Sequence, residues 1–293
     1  MPTQEPPEAT PCARRPGVIR VGTSGWRYRA WRGDFYPAGL PQRRELEHLA
    51  EHTDAVELNG SFYSLQRPGS WEAWARAVPK DYRFAVKGSR FVTHLKRLHD
   101  VGPGLANFFA SGVLLLGPRL GPLLWQLPRT LPADLRLLDA FADTLPRTTA
   151  EAVGLARGHT LADDRVGWPT TGRSHRLQHV LEPRHASWAE PSVVRRLRRR
   201  GLTVAVSDNP GQWPVLDVDT TRVRYVRLHG HTDLYTSGYD APALGEWARL
   251  ARAWADAGQD VWVFFDNDAR GRAPHDAVAL RRERGLPGAM LPP

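Results

Sequence analysis

The chain has one cysteine, Cys12, and two methionines in 293 residues. A single thiol builds neither an intrachain disulfide framework nor a multi-cysteine metal centre, so the fold must rest on its core. No run reaches the roughly 18 apolar residues of a membrane-spanning helix, which speaks against a membrane partner. The opening MPTQEPPEATPCARRPG is proline-rich and lacks the apolar stretch of a secretory signal, so the expected compartment is the cytoplasm. HxH and HExxH spacings are missing as well, so no metal ligands are assigned and the cofactor stays unknown. Lysine is scarce. The 40 basic residues are mostly arginine, and 31 acidic residues leave a net charge of +9. That balance favours an anionic partner such as nucleic acid, a phosphorylated metabolite or a lipid headgroup. The arginine-for-lysine exchange of GC-rich coding accounts for it equally well.

What is present is a repeated unit. The chain is 41% apolar and carries 11 tryptophans, enough for a large core. Short β-rich runs begin at Val18 (VIRV), Asp54 (DAVEL), Tyr82 (YRFAVK), Gly121 (GPLLWQL), Leu177 (LQHVLE), Leu202 (LTVAV), Val223 (VRYVRL) and Asp260 (DVWVFF). Their mean spacing of about 35 residues is that of one βα unit. Helical patterns lie between them: PQRRELEHLAEH, PADLRLLDAFADTL, EPSVVRRLRRRG and PALGEWARLARAWADAG, the last two closing on Gly201 and Gly258. Eight such units with right-handed crossovers predict an α/β fold, a single (β/α)8 TIM-type barrel over residues 18–284. Residues 1–17 read as a disordered tail and 285–293 as a loose one. The stretch between strands six and seven has no amphipathic pattern and reads as a loop. The longer one between strands four and five reads as an extra helix with a polar loop.

In such a barrel all eight carboxyl ends of the strands open on one mouth, where active sites form. The first strand breaks into Gly22-Thr23-Ser24-Gly25-Trp26, with Tyr28 beyond. The others end in Glu57 and Asn59, followed by Tyr63; in Lys87; in Gln126; in Glu182, Arg184, His185 and Trp188; in Asp208; in Arg227 and His229; and in Asn267 between two aspartates. A strand covered on both faces reads as an unbroken apolar run, and Glu57, Lys87, Glu182 and Arg227 interrupt it. Buried charges are costly alone, so these four are expected to neutralise one another across the mouth. Polar strand ends also arise simply where chain meets water. Loop aromatics often only staple loops down, and RRLRRR is expected on the solvent face of an outer helix.

The segments VGTSGWRYRAWRGDFYP, VELNGSFYSL, FAVKGSRFVTHLKRL, LLWQLP, LEPRHASW, VSDNP, VRLHG and VFFDND together resemble, in order, the motifs of the YecE-like family, also called domain of unknown function 72. The resemblance spans about residues 18 to 284 and implies a TIM-type barrel. It brings no established reaction; the mouth of these barrels has been likened in shape to that of barrel-type apurinic endonucleases. Two places depart from the family pattern, Asn59-Gly60-Ser61 and Asp266-Asn267-Asp268. Of the latter three, Asn267 is preferred over its neighbours.

These groups suggest that the mouth takes a phosphate-bearing ligand, nucleic acid included. Lys87, Arg184 and Arg227 would neutralise the anion, with Thr23, Ser24, Trp26, Tyr28, Asn59, Tyr63, His94, Gln126, His185, Trp188 and Asn267 around it. An electropositive mouth further requires His94, Lys96 and Arg97 to lean over its rim. Acid/base or metal-assisted hydrolysis would use Glu57, Glu182, Asp208 and His229. The alternatives are a non-catalytic binder at the same mouth, and a carbohydrate-active barrel with Glu57 and Glu182 as its acid/base pair across an open slot.

Overall fold

The computed structural model describes residues 15–168 and 174–283. The expected tails lie almost wholly outside them. Eight parallel strands form a closed barrel in chain order: β1 (Ile19–Ser24), β2 (Ala55–Leu58), β3 (Arg83–Lys87), β4 (Leu120–Gln126), β5 (His179–Glu182), β6 (Thr203–Asp208), β7 (Val223–Leu228) and β8 (Asp260–Phe265). β8 pairs back onto β1, so no sheet edge is left open. This is the TIM-type (β/α)8 barrel that the spacing of the runs predicts.

The helices follow in order: α1 (Glu45–His52), α2 (Gly60–Tyr63), α3 (Pro68–Ala77), α4 (Gly102–Ala110), α5 (Leu135–Thr144), α6 (Thr149–Ala156), α7 (Pro191–Arg200), α8 (Ala241–Asp256) and α9 (Arg272–Glu283). The β4–β5 connection holds an extra helix, α6. The β6–β7 connection holds none, because 209–222 never builds an apolar stripe. Local chemistry sets the ends. Asp134 caps α5 by accepting the amides of Arg136 and Leu137. α7 starts on Pro191 and stops at Gly201, whose φ of 63° is open to glycine at no steric cost. The arginine run of α7 lies on the outer face. Val193 and Leu197 are buried, while Arg200 pairs with Asp139 at 2.7 Å and Asp143 at 2.6 Å of α5.

Two apolar layers are separate. Val56, Leu58, Phe84, Val86, Trp125, Leu181, Val206, Val226 and Phe265 belong to the core between sheet and helices. Ala55, Ala85, Leu124, Val180, Ala205, Tyr225 and Phe264 form a smaller cluster inside the barrel. Three alanines leave room there for the large Tyr225 and Phe264 rings. Gly22 completes the narrow side: a Cβ on it would sit 1.8 Å from the Ala55 carbonyl oxygen. Strand side chains alternate, so residues two positions further along point inward again, one layer nearer the mouth. Those eight are Ser24, Glu57, Lys87, Gln126, Glu182, Ser207, Arg227 and Asp266. All eight are polar, and together they form a ring on an apolar floor.

Candidate functional site at the barrel mouth

Arg227 is the centre of the ring and is fully buried. Its Nε donates to Glu57 Oε2 at 3.1 Å and its Nη2 to Glu57 Oε1 at 2.8 Å, a side-on bidentate pair. Nη1 donates to Glu182 Oε2 at 3.0 Å, and Nη2 also reaches Asp266 Oδ2 and Ser24 Oγ, each at 2.9 Å. Glu57 is closed off from its other sides. Tyr225 donates its hydroxyl to Oε2 at 2.6 Å, and Ser24 donates to Oε1 while accepting from Asn59 Nδ2 at 2.8 Å. Glu182 Oε1 accepts from Ser207 Oγ at 2.9 Å and from Arg184 Nη2 at 3.0 Å. His229 stands between two carboxylates, with Nε2 3.3 Å from Glu182 Oε1 and Nδ1 2.9 Å from Asp266 Oδ2. The expected neutralisation across the mouth is therefore real for Glu57, Glu182 and Arg227.

The protonation of the ring follows from these pairs. Burial works against a charged Glu182, but Arg184 and Arg227 hold its carboxyl well below the ordinary range. Asp266 is likewise pulled down against burial, by Arg227 and His229. Arg227, surrounded by Asp266, Glu182 and Glu57, is held charged. Asp268 goes the other way. Burial and the neighbouring Asp266 charge push it up to about 7, so it titrates near neutrality.

Lys87 is the exception within the ring. It is buried, 7% exposed, and its Nζ makes no hydrogen bond and no ion pair among the described residues; it lies 4.5 Å from the centre of the Phe62 ring. Burial and then Arg227 lower it from 10.5 to about 8, although Glu182, Asp266 and Glu57 act in the opposite sense. Arg184 is the other cation with capacity to spare. Its guanidinium stacks on Trp213 at 3.8 Å, and its buried Nε has no partner. His94 closes this side, edge-on to Phe62 at 5.1 Å, and is kept neutral more readily by burial and by Lys87.

Other expected residues lie outside the ring, three of them for one shared reason. Alternation turns the neighbour of an inward residue outward. Asp208 follows Ser207 and accepts the Tyr239 hydroxyl at 2.7 Å. Asn267 follows Asp266 and donates to Asp276 of α9 at 2.7 Å and to the Ser237 carbonyl at 2.9 Å. Of Asp266 and Asn267, it is Asp266 that holds the ring position, while Asn267 turns towards α9. Thr23 precedes Ser24 and donates to the Gly25 carbonyl at 2.7 Å. His185 is a helix cap whose Nδ1 faces Ser187 Oγ at 2.9 Å, and Trp188 donates to the Leu131 carbonyl at 3.0 Å. Tyr63 is 70% exposed. Trp26 packs edge-on against Trp74 at 5.5 Å and, with Tyr28 and Asn59, lines a side cavity. Gln126 does point inward, on β4 opposite Glu182. The ring residues Ser207 and Asp266, with Tyr225, Trp213 and Asp268 around them, are those that strand-end reading passed over.

The charges balance within the ring and at Arg184, with Glu57, Glu182 and Asp266 against Arg227, Lys87 and Arg184. The rim adds less than expected. Arg97 is committed to the Thr130 carbonyl at 2.7 Å, and Lys96 is exposed. Nor is there a slot between Glu57 and Glu182, because the Arg227 guanidinium fills the space between their carboxylates. A glycosidase needs that space for its substrate. Metal-type donors converge at one place among the described residues, away from the mouth: His48, Glu51 and His52 of α1, whose ligand atoms lie within 4.8 Å of one another.

Comparison with known proteins places the chain. Residues 20–292 match the family described as "Protein of unknown function DUF72". The UPF0759 protein YunF of Bacillus subtilis is 23% identical over 290 residues, covering 87% of this chain and 91% of that protein. The UPF0759 protein YecE of Escherichia coli is 30% identical over 130 residues, 44% of this chain and 45% of YecE. Among solved structures, a DUF72 family protein of Thermotoga maritima superposes with a TM-score of 0.72 at 24% identity, over 90% of this chain and 98% of that one. One from Enterococcus faecalis gives 0.69 at 17% identity, over 92% and 96%. On the match across nearly its whole length, the chain belongs to the DUF72 family of proteins of unknown function.

Proposed function

We propose that the barrel mouth binds a ligand carrying a phosphate or carboxylate group, with Lys87 and the free N–H groups of Arg184 as its charged contacts. One observation carries this reading: Lys87 is a buried cation without an acceptor in a ring whose other charges are paired. Its Nζ opens to the mouth with no protein acceptor among the described residues, and an anionic group entering there would pair with it. Glu57, Arg227 and Glu182 form the rigid floor of the site in this reading, since their hydrogen-bonding capacity is used internally.

The test is fluorescence titration with a labelled single-stranded oligonucleotide at low and high salt, with inorganic phosphate as competitor. Arg184→Ala should weaken binding by about tenfold, one charge-assisted contact. Arg198→Ala, on the outer helix α7, should change it little. Displacement of the oligonucleotide by millimolar phosphate marks the phosphate group as the recognised element. Equal losses for the two variants would reduce the binding to diffuse surface charge, whose signature is a steep salt dependence. No binding of either probe at low salt would end the phosphate reading.

A further inference from the structure

Of the 40 basic residues only three are lysines: Lys80, Lys87 and Lys96. Lys80 and Lys96 are exposed. The third stands in the polar ring at the carboxyl end of β3, inside the barrel. Arginine supplies positive charge almost everywhere else in this chain, including the centre of the same ring. What arginine cannot supply is a nucleophilic amine, because its guanidinium never loses its proton in a protein. The surroundings of Lys87 are those that make an amine reactive. No hydrogen bond ties up its nitrogen, and one side is the apolar Phe62 ring. Its charged neighbours are Arg227, which disfavours the ammonium, and Glu182, Asp266 and Glu57, which favour a cation there. His94 lies on the adjoining turn.

We propose that Lys87 is a carbonyl-reactive amine that forms a Schiff base with a small aldehyde or ketone bearing an anionic group. The inference rests on the anion-binding reading of the same mouth, with Arg184 holding the anionic group while Lys87 meets the carbonyl carbon. The step balances without a further reagent. Lys87 gives up one proton, and its lone pair forms the N–C bond as the carbonyl π pair moves to oxygen. The oxygen takes up that proton and a second one from nitrogen, and leaves as water while the C=N bond forms. Ammonium plus carbonyl thus becomes iminium plus water, with the positive charge still facing Glu182, Asp266 and Glu57. Burial favours the first of these events. With the amine at about 8 against an ordinary 10.5, the neutral form at pH 7 is some 300-fold more abundant than in an ordinary lysine.

The experiment treats the full chain with glyoxylate and cyanoborohydride near pH 7, and maps carboxymethylated lysines by peptide mass spectrometry. A parallel arm uses formaldehyde, which carries no charge. Lys87 should be modified by glyoxylate at least about tenfold faster than Lys80 or Lys96, and inorganic phosphate should slow it. Lys87→Arg keeps the charge and serves as the folded control, leaving only the background at Lys80 and Lys96. If formaldehyde favours Lys87 but glyoxylate does not, the amine stands and the anion-binding reading falls. If phosphate binds but neither aldehyde modifies Lys87 faster than Lys80, the Schiff-base proposal is overturned and anion binding survives.

Discussion

Lys87→Met should make the protein more stable. The side chains are similar in length, and methionine can occupy the same channel beside Phe62. What is removed is a buried charge whose amine is held at about 8 instead of 10.5. At about 1.4 kcal/mol per unit, a shift of this size costs the folded state roughly 3 kcal/mol wherever both folded and unfolded chains carry the proton. Loss of the cation–π contact returns about 1 kcal/mol of that, so the expected gain is about 2 kcal/mol near pH 7. The sign has a pH signature. Because the folded amine releases its proton first, the unfolded chain binds more protons between pH 8 and 10.5, and wild-type stability rises with pH across that window. The advantage of the variant is therefore full below pH 8 and disappears towards 10.5. Urea denaturation of both proteins at a series of pH values reads this directly as a difference in midpoint at constant m-value. A variant that is less stable at pH 7, or a difference that does not change with pH, would refute the placement of an unpaired charge at this point.

Further perturbations probe the floor of the mouth and the barrel wall. Glu57→Gln leaves Arg227 without its bidentate partner and should cost about 3 to 5 kcal/mol, read by chemical denaturation; a loss under about 1 kcal/mol would mean that the ring relaxes around the change. Gly22→Ala drives a methyl into the Ala55 carbonyl and should prevent barrel closure, visible as loss of near-ultraviolet circular dichroism. Arg200→Ala, by contrast, removes a partly exposed pair to Asp139 and Asp143 and should cost about 1 kcal/mol or less by the same denaturation assay.

Sequence alone determined the barrel: eight apolar runs about 35 residues apart admit few other closed architectures, and the absence of a stripe at 209–222 marked the one layer without a helix. It also located most of the polar ring, because Glu57, Lys87, Glu182 and Arg227 interrupt runs that a doubly covered strand keeps apolar. The same alternation, counted two residues on from Ala205 and Phe264, leads to Ser207 and Asp266; choosing polar residues at strand ends without counting led to Asp208 and Asn267 instead. Tertiary structure decided what no spacing contains. Residues as far apart as Glu57 and Arg227 meet only because barrel closure brings β2 and β7 to one axis, where the guanidinium takes up Glu57, Glu182 and Asp266 at once. That pairing is many-bodied, so a list of charges could not say which cation would be consumed and which would remain. It closed the slot between the two glutamates and left Lys87 without a partner, because five N–H groups of one arginine satisfied the carboxylates first.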